Sequence, residues 1–538
     1  MFYDNLLSLV TFLPLLGAVV LMLLPNTEEY KRAFRWGTLA ISLLTFAFSL
    51  FLLTAVQAGG GLQLAIKLPW IPQLDAEYYM AVDGISLWLV LLNTFLFPLA
   101  ILSSIGVIKT REKMYYILML VLEAAVTGTF LAQDLLLFFF FWESVLIPMY
   151  FLIGIWGGKQ RLYATTKFVL YTMVGSLLML AAIIALYLFA DQLTIGSGGT
   201  FNLQTLTNMD MPLKFQVWCF AAFMLAFAIK VPLFPFHTWL PDAHTETPTA
   251  GSIILAGVLL KMGTYGFIRF AIPLFPDAAF YRLSIAGVGF TIRDLIMVLA
   301  VVGIIYGALV AAVQIDVKRL VAYSSVAHLG FVMLGLFSFN QQAVDGAILQ
   351  MVNHGVSTGA LFMLVGFIYD RRHTRLIAEF GGLAKPMPVY FNFFLVMMLS
   401  SVGLPALNGF VGEFLILVGT FQVKYILTII ATLGVILAAV YLLYMFRRVF
   451  FGEVTNPENA KLMDLKPIEV WSVLPLAVMA FVIGLFPTMF LGRITPDSEG
   501  IVKRMQQVEQ LTYDELAALR TKQLDTGGVT ARLEGGAR

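Results

Sequence analysis

Lys230 and Lys261 each stand inside an apolar run, 218–239 and 249–270, long enough to cross a bilayer. An ammonium at bilayer depth costs at least roughly 2.5–3.5 kcal/mol on insertion scales, so it needs a partner and a task. Glu123, Glu143, Glu413, His328 and His354 also lie inside apolar runs. A row of acids, lysines and histidines at membrane depth suits the transfer of protons or small cations.

Each member has its own surroundings. Glu143 lies in LLLFFFFWESVLIPMY, where four phenylalanines and a tryptophan desolvate a carboxylate. A carboxylate so placed takes up a proton or needs a cation. Lys230 is its natural partner. Burial opposes the charged form of a lysine and a nearby carboxylate favours it. Such a pair can switch: closed, the lysine keeps its proton; open, it can release it. A static salt bridge that holds helices together is the alternative.

Lys261, in AGVLLKMGTYG, has small neighbours that allow close helix approach, and it reads as the next carrier. His328, in YSSVAHLGF, and His354, in MVNHGVSTGALF, stand mid-helix near Ser, Asn or Thr. Histidine titrates near neutrality and can relay protons; a hydrogen-bonded core histidine is the other reading. Glu413, after GLPALNGFVG, ends the row. Glu123, in VLEAAVTG, is a secondary candidate with helix packing as its alternative. His237, Asp242, His244 and Glu246, in FHTWLPDAHTETPT, lack the spacing of a metal site and read as a capped loop with a route for proton uptake.

Other chemistries find no support. There is no GxxxxGK[ST] phosphate loop, no dinucleotide GxGxxG after a strand and no nucleophile elbow. The single cysteine, Cys219, sits in an apolar run and reads as a small buried hydrophobe. No cofactor and no redox site is therefore expected in this chain, and energy must arrive through partners or an ion gradient. A net charge of +2 without a basic, aromatic-laced patch excludes a nucleic-acid surface.

The elements that position the row are membrane helices. Of 538 residues 60% are hydrophobic and 12% charged, against about 25% charged in soluble domains. With about 20 apolar residues per span, the fold class is an all-α polytopic membrane protein of fourteen helices. They run at 5–24, 34–56, 84–106, 114–132, 134–156, 166–190, 216–239, 248–272, 293–314, 319–338, 344–369, 388–421, 426–448 and 468–490. Odd-numbered loops then carry 19 basic residues and even-numbered loops 5. The positive-inside rule places both termini outside. The apolar start, 6–24, reads as a first helix, being too long for the h-region of a signal peptide.

Helices seven and twelve read as broken: Pro232 and Pro235 follow Lys230, and Gly403, Pro405, Asn408, Gly409 and Gly412 precede Glu413. Interrupted helices at membrane depth mark ion sites in transporters. They lie five helices apart, which suggests two five-helix repeats, 4–8 and 9–13, inverted because five is odd. The chain divides into helices 1–3 with an outside β-hairpin at 58–83 (1–110), a first repeat (111–272), a second repeat (273–450), an inside loop and last helix (451–490) and a polar tail (491–538). Residues 273–292 read as loop, 501–519 as an amphipathic helix and 527–538 as disordered.

The segments DLLLFFFFWESVLIPMYFLIG, AFAIKVPLFPFHTWLPDAHTETPTAGSIILAGVLLKMGTYG, KRLVAYSSVAHLGFVMLG and NHGVSTGALFMLVG closely resemble the antiporter-like membrane subunits of respiratory complex I, the NADH:quinone oxidoreductase. The ending GFVGEF, with Glu413, and the loop FGEVTNPENAKLMDL are similar to its M-type branch; L- and N-type chains and the D-type chain of Mrp cation/proton antiporters have lysine at that place. The resemblance implies a proton-translocating subunit coupled to quinone reduction elsewhere, with a Mrp-type antiporter subunit as the alternative. It implies Glu143 and Lys230 as coupling pair, Lys261 as central carrier, His328 and His354 as relay and Glu413 as terminal group. It also implies L- and N-type neighbours in a bacterial inner membrane, with NADH, FMN, iron–sulfur clusters and quinone held by partner subunits.

Overall fold

The computed structural model describes residues 3–193, 198–285 and 288–534. Among these, thirteen helices are long and apolar enough to cross a membrane, and a pair of short apolar helices makes the fourteenth span. In chain order they are α1 (Leu6–Leu23), α2 (Lys31–Leu50), α3 (Gly84–Ser104), α4 (Glu112–Leu131), α5 (Leu135–Trp156), α6 (Arg161–Leu193), α7 in halves Leu213–Lys230 and Trp239–Glu246, and α8 (Thr249–Leu274). Then follow α9 (Ile292–Ala312), α10 (Val317–Leu336), α11 (Gln341–Arg372), α12 in halves Pro388–Val402 and Asn408–Phe421, α13 (Tyr425–Phe450) and α14 (Pro467–Leu485). A last helix, α15 (Thr488–Glu534), is polar over most of its length.

The two repeats share a device. Asp134 caps α5 by accepting from the Leu136 and Leu137 amides at 2.9 Å. Asp316 caps α10 by accepting from Lys318 N and Arg319 N at 2.7 and 3.1 Å. Each aspartate also forms an isolated β-bridge just beyond the next helix, Asp134 with Asn202 and Asp316 with Leu376. The same cap and the same bridge recur five helices apart.

Asp134 also accepts from the Glu77 amide at 3.0 Å, which ties the hairpin β1 (Gln63–Ile71) and β2 (Ala76–Val82) to α5. Burial pushes its carboxyl from the usual 3.8 up to about 6, against the pull of three amide donors. The folded chain thus holds this proton more tightly than the unfolded chain, so its contribution falls as pH rises from about 4 to about 6. Asp134→Asn is expected to remove up to roughly 3 kcal/mol of that pH dependence. Thermal unfolding midpoints of the detergent-solubilised assembly at the two pH values measure it; an unchanged pH dependence would refute the assignment.

The repeats meet where α8 crosses α11, both buried throughout. A Cβ on Gly355 would come within 2.6 Å of a Leu92 methyl and 2.8 Å of the Gly257 carbonyl oxygen; one on Gly257 would press a Leu96 methyl at 2.6 Å. Without a hydrophobic drive between helices in lipid, this close glycine contact is what packs them. Gly355→Val is expected to cost about 1–3 kcal/mol by overpacking and to spread α8 from α11. A lower yield of intact assembly on native gels, with proton uptake lost from what remains, is the expected reading.

Three segments differ from the sequence expectation. Residues 273–292 are not loop: a short helix, Pro276–Phe280, leads to an antiparallel hairpin, β3 (Arg282–Ile285) and β4 (Val288–Thr291), paired Arg282 to Thr291 and Ser284 to Gly289. Pro276 opens the helix at a position that needs no amide donor, and strand pairing satisfies the backbone that the prolines and charges suggested was solvated. The segment at 238–246 is half-helix, not capped loop. α15 starts before 501 and runs on through 527–534, because extending an existing helix carries no nucleation cost; residues 535–538 lie outside the described residues.

Candidate functional site: a buried row of titratable groups

The glycine joint brings Lys261 of α8 to His354 of α11. Lys261 is fully buried. Its Nζ lies 2.7 Å from His354 Nδ1 and donates to the Ala256 carbonyl. That carbonyl belongs to a π-helical turn, Leu255–Leu259, and a second π-turn follows at Phe267–Ala271. A π-turn shifts the hydrogen-bond ladder, a device frequent at functional sites. The Lys261–His354 bond admits two states. An ammonium donates to a neutral imidazole, or an Nδ1–H donates to a neutral amine. One proton can occupy either nitrogen.

The second repeat supplies the continuation. His328 Nδ1 of α10 lies 2.7 Å from Glu413 Oε1 of α12, and its Nε2 lies 3.2 Å from Ser401 Oγ. Gln350 donates to the same Glu413 oxygen at 3.1 Å. The imidazoles of His328 and His354 are 5.7 Å apart between centroids. Between them is a polar cavity of about 10 Å³, lined by Ser357, Thr358, Ser400 and Ser401 besides the two rings. That volume is on the scale of one water, which would join the His pair into a chain.

The break in α12 positions Glu413. Gly403 takes the left-handed conformation, φ 86°, and the Leu404 amide reaches back to Leu399 O at 3.0 Å, closing the first half. Asn408 then clasps α11: its Nδ2 donates to Asn353 O at 3.1 Å, and Asn353 Nδ2 donates to Asn408 O at 2.8 Å. The broken backbone is thereby satisfied inside protein, as the bilayer requires.

In the first repeat Lys230 ends the first half of α7. Beyond it Pro232 and Pro235 cannot donate, and the Ile229 carbonyl is satisfied by Trp239 Nε1 at 2.8 Å. Lys230 Nζ has no hydrogen-bond partner among the described residues. It sits over the rings of Trp142, at 5.2 Å, and Phe168, at 5.8 Å. Glu143 lines a groove of about 740 Å³ on the outer face of α5 and α6, with one oxygen buried and unpartnered. Among the described residues the two form no ion pair, so the expected Glu143–Lys230 contact is open here. The ring of Trp142, next to Glu143 in the chain, takes the ammonium instead.

The row is thus two tight pairs, Lys261–His354 and His328–Glu413, and one open pair. Glu123 is not part of it: it lies in α4, fully buried, with neither carboxylate oxygen hydrogen-bonded. The sequence reading named His244 for proton uptake but not its packing, and it missed one buried ion pair. His244 stacks on Phe362, 4.4 Å between centroids and 4° between planes, with both ring nitrogens buried and unpartnered. The residues just after it, Glu246 and Thr247, line a polar vestibule of about 410 Å³ together with Lys318, Asp370 and Arg375. Arg269 of α8 forms a buried ion pair with Asp83, the N-cap of α3. The segment DGIS was the available signal, an aspartate three residues before a serine at a helix start.

Comparison with known proteins agrees with this architecture. The family model for "NADH:quinone oxidoreductase/Mrp antiporter, TM" matches residues 132–439, and that for "NADH-ubiquinone oxidoreductase chain 4, amino terminus" matches 9–129. NADH-quinone oxidoreductase subunit M of Rhodobacter capsulatus is 46% identical over 516 residues, 93% of this chain and 97% of the relative. NADH-ubiquinone oxidoreductase chain 4 of Marchantia polymorpha is 43% identical, covering 91% and 95%. Among solved structures, a chain of respiratory complex I from Thermus thermophilus superposes with a TM-score of 0.82 at 32% identity, over 93% of this chain and 99% of that one. A chain of the Mrp complex from Dietzia shares the fold, TM-score 0.81, at 19% identity, over 95% and 99%. Matches over nearly the whole length on all these lines mean that the chain belongs to the family of antiporter-like membrane subunits of NADH:quinone oxidoreductase, on its subunit M (chain 4) branch.

Proposed function

We propose that this chain translocates protons as the M-type membrane subunit of a NADH:quinone oxidoreductase, along Lys230, Lys261, His354, His328 and Glu413. The observation that carries the reading is the pair of 2.7 Å contacts, Lys261–His354 and His328–Glu413, in the buried centre where the repeats meet. A charge change outside α5 acts on Glu143 in its open groove. Closing or opening the Glu143–Lys230 pair changes the field at Lys230, which keeps or passes its proton. Lys261 and His354 share the proton next, and His328 hands it to Glu413.

NADH, FMN, iron–sulfur clusters and quinone belong to partner subunits in this reading, and L- and N-type chains flank this one in a bacterial inner membrane. Both termini face outward, in keeping with the 19 to 5 division of basic loop residues. The vestibule lined by Glu246 and Lys318 is the inner mouth of the row.

Glu413→Gln tests the reading against a cation antiporter. In native vesicles it is expected to lower proton uptake per electron pair while the assembly stays intact, with no rescue by added sodium. Unchanged proton yield, or sodium uptake in the unaltered chain, would overturn it.

A further inference from the structure

A second polar line runs through helices that the row does not use. Thr38, Ser42, Thr45 and Ser49 of α2 follow Arg35 at spacings of three, four, three and four, so they share one face, and all four hydroxyls are fully buried. That face packs on α3 and α4. α4 answers it with Glu112, Tyr116, Glu123 and Thr127 on one face of its own.

A buried hydroxyl in a membrane helix ordinarily bonds its own preceding turn. Thr45 does so, to Ile41 O at 3.0 Å, and Ser49 meets Thr94 at 2.8 Å. Other oxygens along these faces do not. Thr38 Oγ1, Ser42 Oγ, Tyr116 OH, Asn93 Oδ1 and both oxygens of Glu123 are buried without a partner. Unsatisfied polar atoms at bilayer depth each cost several kcal/mol, and a native structure holds few of them without a functional cause. Here Ser42 faces the Glu123 carboxylate, Asn93 donates to the Glu123 carbonyl at 3.1 Å, and Tyr116 stands toward Glu112 and Arg35.

No charge of the row reaches this group. α1 and α3 carry no titratable side chain. On α2 the charged residues, Lys31, Arg32 and Arg35, all lie in its first turns. From α5, Glu143 faces the outer groove. From α8, Lys261 is bonded to His354, Tyr265 to the Phe130 carbonyl and Arg269 to Asp83. From β2, Tyr79 bonds Gln204 and Tyr78 bonds Ser8. On α4 itself, Glu112 accepts two bonds from Arg35, at 2.6 and 2.8 Å, at the end of the helix where the basic loop residues lie.

We propose that Glu123 is a second proton-binding site, separate from the Lys–His–Glu row, which exchanges its proton with the basic face through the hydroxyls of Ser42, Thr38 and Tyr116. On release, the O–H bond of the Glu123 carboxylic acid breaks and its proton binds the next hydroxyl oxygen. That hydroxyl passes on its own proton, and the last one reaches Glu112 and the aqueous phase beyond the Arg35 clamp. Uptake is the reverse, and no oxidant or cation takes part. At the opposite end Ser49 is bonded to Thr94 at 2.8 Å, and the side chains around them, Leu91, Leu92 and Phe95, are apolar.

Infrared spectroscopy of the intact assembly tests this. The carboxylic-acid carbonyl band of the unaltered chain should shift on transfer to heavy water, and Glu123→Gln should remove that band. The double variant Thr38→Val with Ser42→Ala keeps the carboxyl, so it also serves where Glu123→Gln does not assemble. It should retain the band and slow its exchange about a hundredfold, the low end of what a positioned proton-transfer group contributes. Absence of a Glu123 band, its loss on adding sodium, or unaltered exchange in the double variant would each overturn the proposal.

Discussion

Lys261→Ala is expected to abolish proton uptake in vesicles that still contain the assembled complex, and to slow the coupled electron transfer with it. The loss should reach at least about a hundredfold, because in the proposed route the group removed is the one that hands a proton to His354, 2.7 Å away. Alanine also leaves His354 Nδ1 and the Ala256 carbonyl buried and unpartnered, at about 1–3 kcal/mol each, so assembly must be checked on native gels. Lys261→Arg separates carrier from strut. A guanidinium keeps the charge and the donors but does not give up its proton. Both variants should be inactive if Lys261 carries protons, and normal pumping in the arginine variant would reduce Lys261 to a structural charge.

Lys230→Met should have a paradoxical result: a more stable protein that does not pump. Lys230 is buried with no hydrogen bond to its ammonium, held only over Trp142 and Phe168. Methionine has a similar shape, so removing the charge relieves an insertion cost of roughly 2.5–3.5 kcal/mol and leaves no partner orphaned. A natural sequence retains such a cost where function needs it. The expected record is a raised unfolding midpoint, intact assembly, and proton uptake uncoupled from electron transfer. A lowered midpoint would mean that Lys230 is held in a salt bridge, and the switching role of the open pair would fall.

Much of this architecture is legible in the residues. Runs of about 20 apolar positions mark the spans, and the prolines after Lys230 and the glycines before Glu413 mark the breaks. Hydropathy also isolates the charged residues of the row, because each is out of place in its run. Partnership is another matter. Lys261 meets His354 across 93 positions and His328 meets Glu413 across 85. The residues that bring the first pair together, Gly257 and Gly355, are chemically silent in the sequence. The π-turns of α8 have no side-chain signature at all, since they shift backbone bonds only. Glu143 and Lys230 read as natural partners by charge, but the sequence does not show whether they touch, and here the ammonium lies over Trp142 instead. The β3–β4 hairpin was hidden by Pro273, Pro276 and the charges just before it, which are as typical of loop as of the approach to a short edge ribbon.

The final helix bears on how the chain is made. Residues of α15 close contacts with parts of the chain synthesised long before: Arg493 donates to Leu53 O across 440 positions, and Asp497 takes the amides of Gly61 and Gly84 across 436 and 413. It also supplies Thr495 and Ser498 to Asp345, and Glu509 to Arg293. During synthesis these ties stay unmade until the last helix emerges. Contacts of such long separation close late. A chain truncated before residue 493 would therefore keep every span and make none of these ties. The last helix thus works as a clasp that ties early and middle parts of the bundle together after its spans are in place.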